Sequence, residues 1–245
     1  MRAMSEDPRV LRAIKSLKEP RRVYAVVSSK GGVGKTTVST LLSLYSAKMG
    51  YSTGLLDLDF VNPSTHIALG LKPSEIRYVE HRGLLPLKLN NLHYFTIAAF
   101  TEDRPMALRG HAVYNALWEV LSIVNWGGIH VLFIDTPPGV GDEHLELVYK
   151  LRGVLKPLVV STPSRLSTAS AKKLIHILRK CGYREVYLVE NMGTGELEDY
   201  AEELGAVYLG YIPYTSELEH ALGNPEKLVE VRVGEHVKSI LSKLL

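Results

Sequence analysis

The sequence predicts an α/β protein, a doubly wound and mostly parallel sheet with helices on both faces. Three observations carry this. Short runs such as Arg22–Ser29 (RVYAVVSS) and His130–Asp135 (HVLFID) are apolar without polar alternation, which marks strands buried on both faces. Helical patterns separate these runs, the arrangement that builds a parallel sheet through crossovers. At 245 residues, 46% hydrophobic and 22% charged, the chain can bury one large core.

Along the chain, Asp7 can cap a first amphipathic helix, with Pro8 in its first turn and Val10, Leu11, Ile14 and Leu17 on one face; Pro20 ends it. The Arg22–Ser29 strand leads into a glycine-rich segment, and Thr37–Lys48 continues as a helix. Ser52–Asp59 is a second buried strand and Leu92–Ala99 a third. The stretch Lys72–Asn91, with Pro73, Gly83 and Pro86, reads as an irregular surface excursion. Leu108–Val124 is helical, with Ala112, Ala116, Val120 and Ile123 on one side. The His130–Asp135 and Pro157–Thr162 strands follow, then a Ser167–Lys180 helix that Gly182 can terminate. The strand Glu185–Asn191, a Glu-rich helix, the strand Ala206–Pro213 and two helical stretches complete the pattern. The expected organisation is an N-terminal amphipathic helix over residues 1–20 and a single domain over 21–245.

Composition excludes several classes. Lys and Arg number 29 against 26 Asp and Glu, a formal charge of +3 without a concentrated basic stripe, so no stable nucleic-acid partner is expected. Cys181 is the only cysteine, which excludes an intrachain disulfide, a zinc ribbon and a Cys-x-x-Cys redox pair, and a reducing, cytoplasmic setting is the natural reading. Residues 1–22 show no signal-peptide pattern, and no apolar run reaches the length of about 18 residues that crosses a bilayer.

The chemistry concentrates in SKGGVGKTT (Ser29–Thr37). Glycines 31, 32 and 34 let backbone N–H groups converge on phosphate oxygens, and the helix that follows begins at the anion. Lys35 can reach the β- and γ-phosphates, and the Thr36 hydroxyl can ligate Mg²⁺. The expected nucleotide contacts are Gly31, Gly32, Val33, Gly34, Lys35, Thr36 and Thr37. Ser29 stands where a glycine usually opens this motif.

The second lysine, Lys30, before paired glycines resembles the deviant P-loop of the Mrp, MinD and ParA ATPases. The resemblance covers nearly the whole chain. It implies a P-loop NTPase fold, an ATP-dependent homodimer, and a slow, partner-regulated ATPase using ATP and Mg²⁺. It also implies that Lys30 reaches the partner's nucleotide, and that Lys30 and Lys35 belong with Asp59 to the catalytic set. GLLDLDFVNPST resembles the family's second-strand motif, in which Asp59 would orient the attacking water and accept a proton late. Asp59 is also counted with Thr36 and Asp135 among the Mg²⁺-placing residues, and Asp57 could assist through water. VLFIDTPPGVGD resembles the Walker B and switch segment, with Asp135 reaching Mg²⁺ through water and Gly139 presenting its N–H to the γ-phosphate. TEDRPMALRG resembles the Mrp branch. Asn191, in VENM, matches the residue that reads adenine, and Pro213, in IPYT, lies in the loop that flanks the base. No Asn-Lys-x-Asp guanine signature occurs, so ATP is favoured over GTP.

One departure matters. Cluster-carrying Mrp proteins place a Cys-x-x-Cys after this segment, whereas here it reads ENMGTGELEDYAEELG. The residues therefore speak against an iron–sulfur carrier. They resemble instead the archaeal ATPase-type HypB proteins, which implies a metalloenzyme maturation factor that delivers nickel to hydrogenase through a HypA-like chaperone or a metalloenzyme precursor. Glu143 and His144 are the only close pair of possible metal ligands near the switch. The alternatives are a MinD- or ParA-like positioning ATPase that binds membrane or DNA, touching membrane through the amphipathic Glu235–Leu245, or an iron–sulfur carrier of the Mrp type, which the missing Cys-x-x-Cys disfavours. A small-molecule kinase of the same class would need a substrate pocket that the sequence does not locate.

Overall fold

The computed structural model describes residues 7–101, 110–139 and 142–245. Helix α1 (Pro8–Leu17) precedes β1 (Arg22–Val27), α2 (Lys35–Lys48), β2 (Thr53–Asp57) and the short α3 (Thr65–Ala68). A small hairpin of β3 (Val79–Glu80) and β4 (Leu84–Leu85) follows, then β5 (Leu87–Leu89), β6 (Leu92–Thr96) and α4 (Ala98–Thr101). The second half runs α5 (His111–Ile123), β7 (Val131–Asp135), α6 (Asp142–Lys150), β8 (Lys156–Ser161), α7 (Arg165–Lys180) and β9 (Tyr187–Asn191). It ends with α8 (Ala201–Leu204), β10 (Val207–Ile212), α9 (Ser216–Ala221), α10 (Pro225–Leu228) and α11 (Gly234–Leu244).

The sheet order is β10-β9-β8-β1-β7-β2-β6-β5, parallel throughout except for β5, which runs antiparallel to β6. This is the doubly wound α/β fold the sequence predicts. Strand residues alternate between two cores. Val23, Ala25 and Val27 join α1, α5 and α7 on one face, while Tyr24 and Val26 join α2 and α11 on the other. The ordering of β1 between β7 and β8 makes a switch point, and the crevice at the strand C-termini is where such sheets bind ligands. Register brings Val26, Asp135 and Asp57 side by side there.

Local differences from the sequence expectations have packing causes. On α1, Val10, Ala13 and Leu17 are buried while Leu11 is 53% exposed, because Ala13 lets the helix lie close against α5. Each larger side chain buried there is worth about 1.5–3 kcal/mol. Asp7 caps α1 as expected, accepting from the Arg9 N–H at 2.9 Å. On α5 the core face is Leu117, Trp118, Val120 and Leu121, with Ala116 and Ile123 packed at its border; of the expected side only Ala112 is exposed. Helix α2 starts two residues early, at Lys35, since Gly34 takes the left-handed cap conformation.

The Lys72–Asn91 excursion is anchored. Tyr78 stacks on Phe95 with centroids 4.3 Å apart, its hydroxyl pairs with the Thr96 backbone, and Leu87–Leu89 adds the antiparallel edge strand. The Glu-rich stretch yields only the four-residue α8, and the tail forms three helices, not two. Helix α6 was not anticipated. The TEDRPMALRG segment lies outside the described residues from 102 to 109, as do residues 140–141 of the expected switch and the side chains of Glu143 and His144.

The C-terminal helix does not offer its apolar face to a bilayer. Val237, Ile240 and Leu241 are fully buried and Leu244 nearly so, packed on β10 and α2. The Tyr24 hydroxyl, from the central strand, donates to the Leu244 carbonyl at 2.7 Å. Among the described residues no helix is long and apolar enough to cross a membrane.

Candidate nucleotide-binding site

Everything converges where β1, β7 and β2 end. The chain leaves β1 at Ser28 and loops to α2, with Gly32 at φ 79° and Gly34 at φ 80°, conformations that side chains rarely adopt. Gly34 has a second reason to be glycine, since a Cβ there would lie 2.1 Å from Asn191 Nδ2. Helix α2 then opens with no side-chain cap and no acidic residue in its first turn. Its leading N–H groups and dipole are left for an anion. The loop encloses a cleft of about 240 Å³ lined by Ser28, Lys30, Lys35, Thr36, Asp59 and Pro138 among others.

Lys35 and Thr36 both reach Asp135. The ammonium donates to Oδ1 at 2.6 Å and the Thr36 hydroxyl to Oδ2 at 2.8 Å. Asp135 is fully buried and Lys35 is only 7% exposed, so this is an interior ion pair at the mouth of the anion site. The hydroxyl and carboxylate placed together are hard oxygen donors of the kind Mg²⁺ takes, and the residues present fit such an ion.

Beside it, Asp57 is also fully buried. It accepts from Asp59 N, Ser64 N, Thr65 N and, at 2.6 Å, the Thr65 hydroxyl. Its oxygens are thus committed to the 58–65 loop, a structural use the sequence did not show. Burial, and then the neighbouring Asp135, push Asp57 up to about 7 from 3.8. Burial raises Asp135 too, against the pull of Lys35. Between 3.8 and about 7 the folded protein holds a proton that the unfolded chain has released. Stability of the ligand-free protein in chelator is therefore expected to fall as pH rises through that window. Melting midpoints from pH 4.5 to 8 check this, and Asp57→Asn should flatten the slope; an unchanged slope would refute the assignment.

Asp59 is half-buried on the cleft wall. Its Oδ1 accepts from Val61 N at 3.1 Å and Asn62 N at 3.0 Å, so it closes a turn while facing the site. Lys30 is exposed at the lip of the cleft. Gly139, at φ 95°, donates its N–H to the Ser28 carbonyl at 2.9 Å. That N–H, expected to face a phosphate, is here used to tie the switch to the end of β1.

A second cleft of about 260 Å³ adjoins the first, with Thr37, Asn191, Pro213, Tyr214 and His220 in its lining. Asn191 is buried, and its Nδ2 donates to the Val33 carbonyl at 2.8 Å. The amide is thus joined to the phosphate loop. Of the residues the sequence singles out, Lys30 to Thr36 and Asp59 line the first cleft and Thr37, Asn191 and Pro213 the second, while Asp135 lies buried and reaches the first through Lys35 and Thr36. Reading residue types missed Asp57's loop bonds and the fully buried Glu190, because a carboxylate at a strand end ordinarily signals exposure. Cys181 caps the far end of α7, on the side where β9 begins and away from the strand C-termini. Among the described residues no group of three or more His, Cys, Asp or Glu could hold a metal ion.

Comparison with known proteins agrees with this geometry. The family model described as ParA, NUBPL iron-transfer P-loop NTPase, matches residues 19–245. A protein of Kluyveromyces lactis named cytosolic Fe-S cluster assembly factor CFD1 is 29% identical, over 99% of this chain and 95% of that one. An iron-sulfur cluster carrier protein of Saccharolobus solfataricus is 31% identical, over 84% and 75%. Among solved structures, a nucleotide-binding protein of Archaeoglobus fulgidus in complex with ADP superposes with a TM-score of 0.76 at 26% identity, covering 92% and 95%. The Aquifex aeolicus cell division protein MinD shares the fold, with a TM-score of 0.69 at 21% identity over 91% and 96%. The chain belongs to the NUBPL iron-transfer P-loop NTPase family, the deviant P-loop proteins of Mrp, MinD and ParA type.

Proposed function

We propose that this chain is an ATP-hydrolysing switch that dimerises around its nucleotide and serves metal-cofactor assembly through a protein partner. The observation that carries the reading is the shared grip of Lys35 and Thr36 on buried Asp135 at the open N-terminus of α2. In this reading Lys35 and the backbone from Lys30 to Thr37 hold the phosphates, and Asn191 and Pro213 face the base. Thr36 and Asp135 would hold Mg²⁺ with Asp59 nearby; bound there, the ion would neutralise charge developing on the phosphoryl oxygens. Asp59 orients the attacking water, and Lys30 extends to the nucleotide of the second copy.

The names of the relatives favour iron–sulfur assembly over the nickel route and a HypA-like chaperone. The residues add a restriction. A bridged cluster needs several soft ligands, and Cys181 alone, away from the strand C-termini, does not supply them. The chain acts as the nucleotide motor while the cluster, as cargo, rests on another protein.

The full chain tests this. Its mass should double with a non-hydrolysable ATP analogue, and Lys30→Ala should bind nucleotide yet stay monomeric. Anaerobic incubation with iron and sulfide should leave less than one cluster per dimer by visible absorbance. An unchanged mass in every nucleotide state rejects the switch. A stoichiometric, chelator-resistant cluster rejects the division of labour.

A further inference from the structure

Glu190 is a carboxylate with no exposed surface that lines neither cleft, one residue from the end of β9. Each oxygen accepts two hydrogen bonds, and burial, then the Glu196 side chain within hydrogen-bond reach, push the pKa of the Glu190 carboxyl up. Oε1 accepts from Gly195 N at 3.1 Å and Glu196 N at 3.2 Å, while Oε2 accepts from Leu197 N at 2.8 Å and the Tyr208 hydroxyl at 3.0 Å. Gly193 passes directly over it, so close that a Cβ would stand 1.8 Å from Oε1. Burying a carboxylate is costly, and only such a set of donors offsets the cost. Leu197 already anchors this loop in the core, so apolar packing alone could hold its far end.

What the charge adds is a fixed exit from β9. The next residue is Asn191, whose amide lies on the Val33 carbonyl and against Gly34. After it, Met192 turns the chain at φ 58°, a strained value for a non-glycine, and donates its N–H to Ile212 at 2.8 Å. Tyr208 and Ile212 both belong to β10, so the exit of β9 is tied to that strand at two points, through Glu190 and through Met192. Asn191 thus follows the latched Glu190 directly in the strand and meets the phosphate loop through its own side chain.

We propose that Glu190 is a positioning residue for nucleotide recognition: by latching the 193–197 loop and Tyr208 it fixes Asn191 against the phosphate loop, and so sets the affinity and base preference of the site. This rests on the ATP reading given above. A gln side chain keeps the size but turns an amide N–H₂ toward backbone N–H donors, so the latch opens. Glu190→Gln is expected to weaken ATP binding about tenfold, equivalent to about 1.4 kcal/mol. It should narrow the preference for ATP over GTP while kcat at saturation stays within about twofold, as expected for lost binding alone. In an Asn191→Ala background it should add nothing, since it acts through that residue. Tyr208→Phe, which leaves the carboxylate intact, should shift both quantities in the same direction by less, and it stands alone if Glu190→Gln does not fold. A lowered melting point with unchanged ATP affinity and base preference overturns the proposal, as do losses that add to those of Asn191→Ala. An unmutated protein that binds ATP no better than GTP would instead reject the base role of Asn191, and the inference with it.

Discussion

Asp59→Asn is expected to lower ATP turnover by about 10²–10⁴-fold, the usual worth of a positioned acid–base group, while ATP affinity changes by less than threefold. The choice of asparagine follows from the two uses of this side chain. Oδ1 closes the turn by accepting from Val61 N and Asn62 N, and an asparagine oxygen can do the same. The substitution therefore removes charge and basicity while the 59–62 turn persists. Asp59→Ala removes both and should add a stability loss of about 0.5–2 kcal/mol, as for a lost cap. Single-turnover hydrolysis with separately measured ATP binding distinguishes the cases. If Asp59→Asn hydrolyses at the parent rate, Asp59 is only a turn residue and the catalytic assignment fails. If only Asp59→Ala loses turnover, the turn, not the carboxylate, matters for the reaction.

The parts that were legible share a physical cause. Strands buried on both faces must be apolar throughout, so β1, β2, β7, β8 and β9 stood out, and the sheet class followed. The phosphate loop was legible because backbone convergence on an anion demands glycine at specific places, as Gly32 and Gly34 confirm by their φ values. Edge and excursion were not legible. Leu87–Leu89 is three residues long and interrupted by exposed Lys88, too short for any periodicity, and among the described residues it pairs only with the start of β6, Leu87 against Tyr94 and Leu89 against Leu92. On α5, Val120, Ala116 and Ile123 of the expected face do meet the core, but packing against α1 centres the buried stripe on Leu117, Trp118 and Leu121 and leaves Ala112 outside. In the site, residue types located Lys35, Thr36 and Asp135 but not their mutual contact. Nor did they show that Asp57 and Glu190, two carboxylates away from the anion, each hold a loop by its backbone N–H groups. Such bonds leave no trace in residue type, since the donors are peptide groups that every residue carries.

The largest stability effect is expected from Lys35→Met. Among the described residues of the ligand-free protein the lysine is the only cation bonded to Asp135, and the pair is almost wholly buried. Removing one partner of such a pair costs about 3–5 kcal/mol, because the other charge stays in the interior. Asp57 stands in register with Asp135 on the adjacent strand, so the loss leaves two neighbouring buried carboxylates with no countercharge. The mutant should respond by taking up protons. Its deficit against the parent should be largest near pH 8 and shrink as pH falls, since protonated Asp135 no longer needs the ammonium. Nucleotide affinity should fall at every pH, as the ammonium that meets the phosphates is gone. The double variant Lys35→Met/Asp135→Asn separates these effects. It removes the stranded charge and keeps a group able to bond Thr36, so most of the lost stability should return while ATP binding does not. Denaturant midpoints of the four proteins at pH 6 and 8 form the double-mutant cycle that reads the coupling. A coupling near zero, or a Lys35→Met protein as stable as the parent at pH 8, would mean that Lys35 does not neutralise Asp135 before nucleotide arrives. Recovery of ATP binding in the double variant would mean that the phosphates are held without the lysine, by the α2 N-terminus and the loop backbone alone.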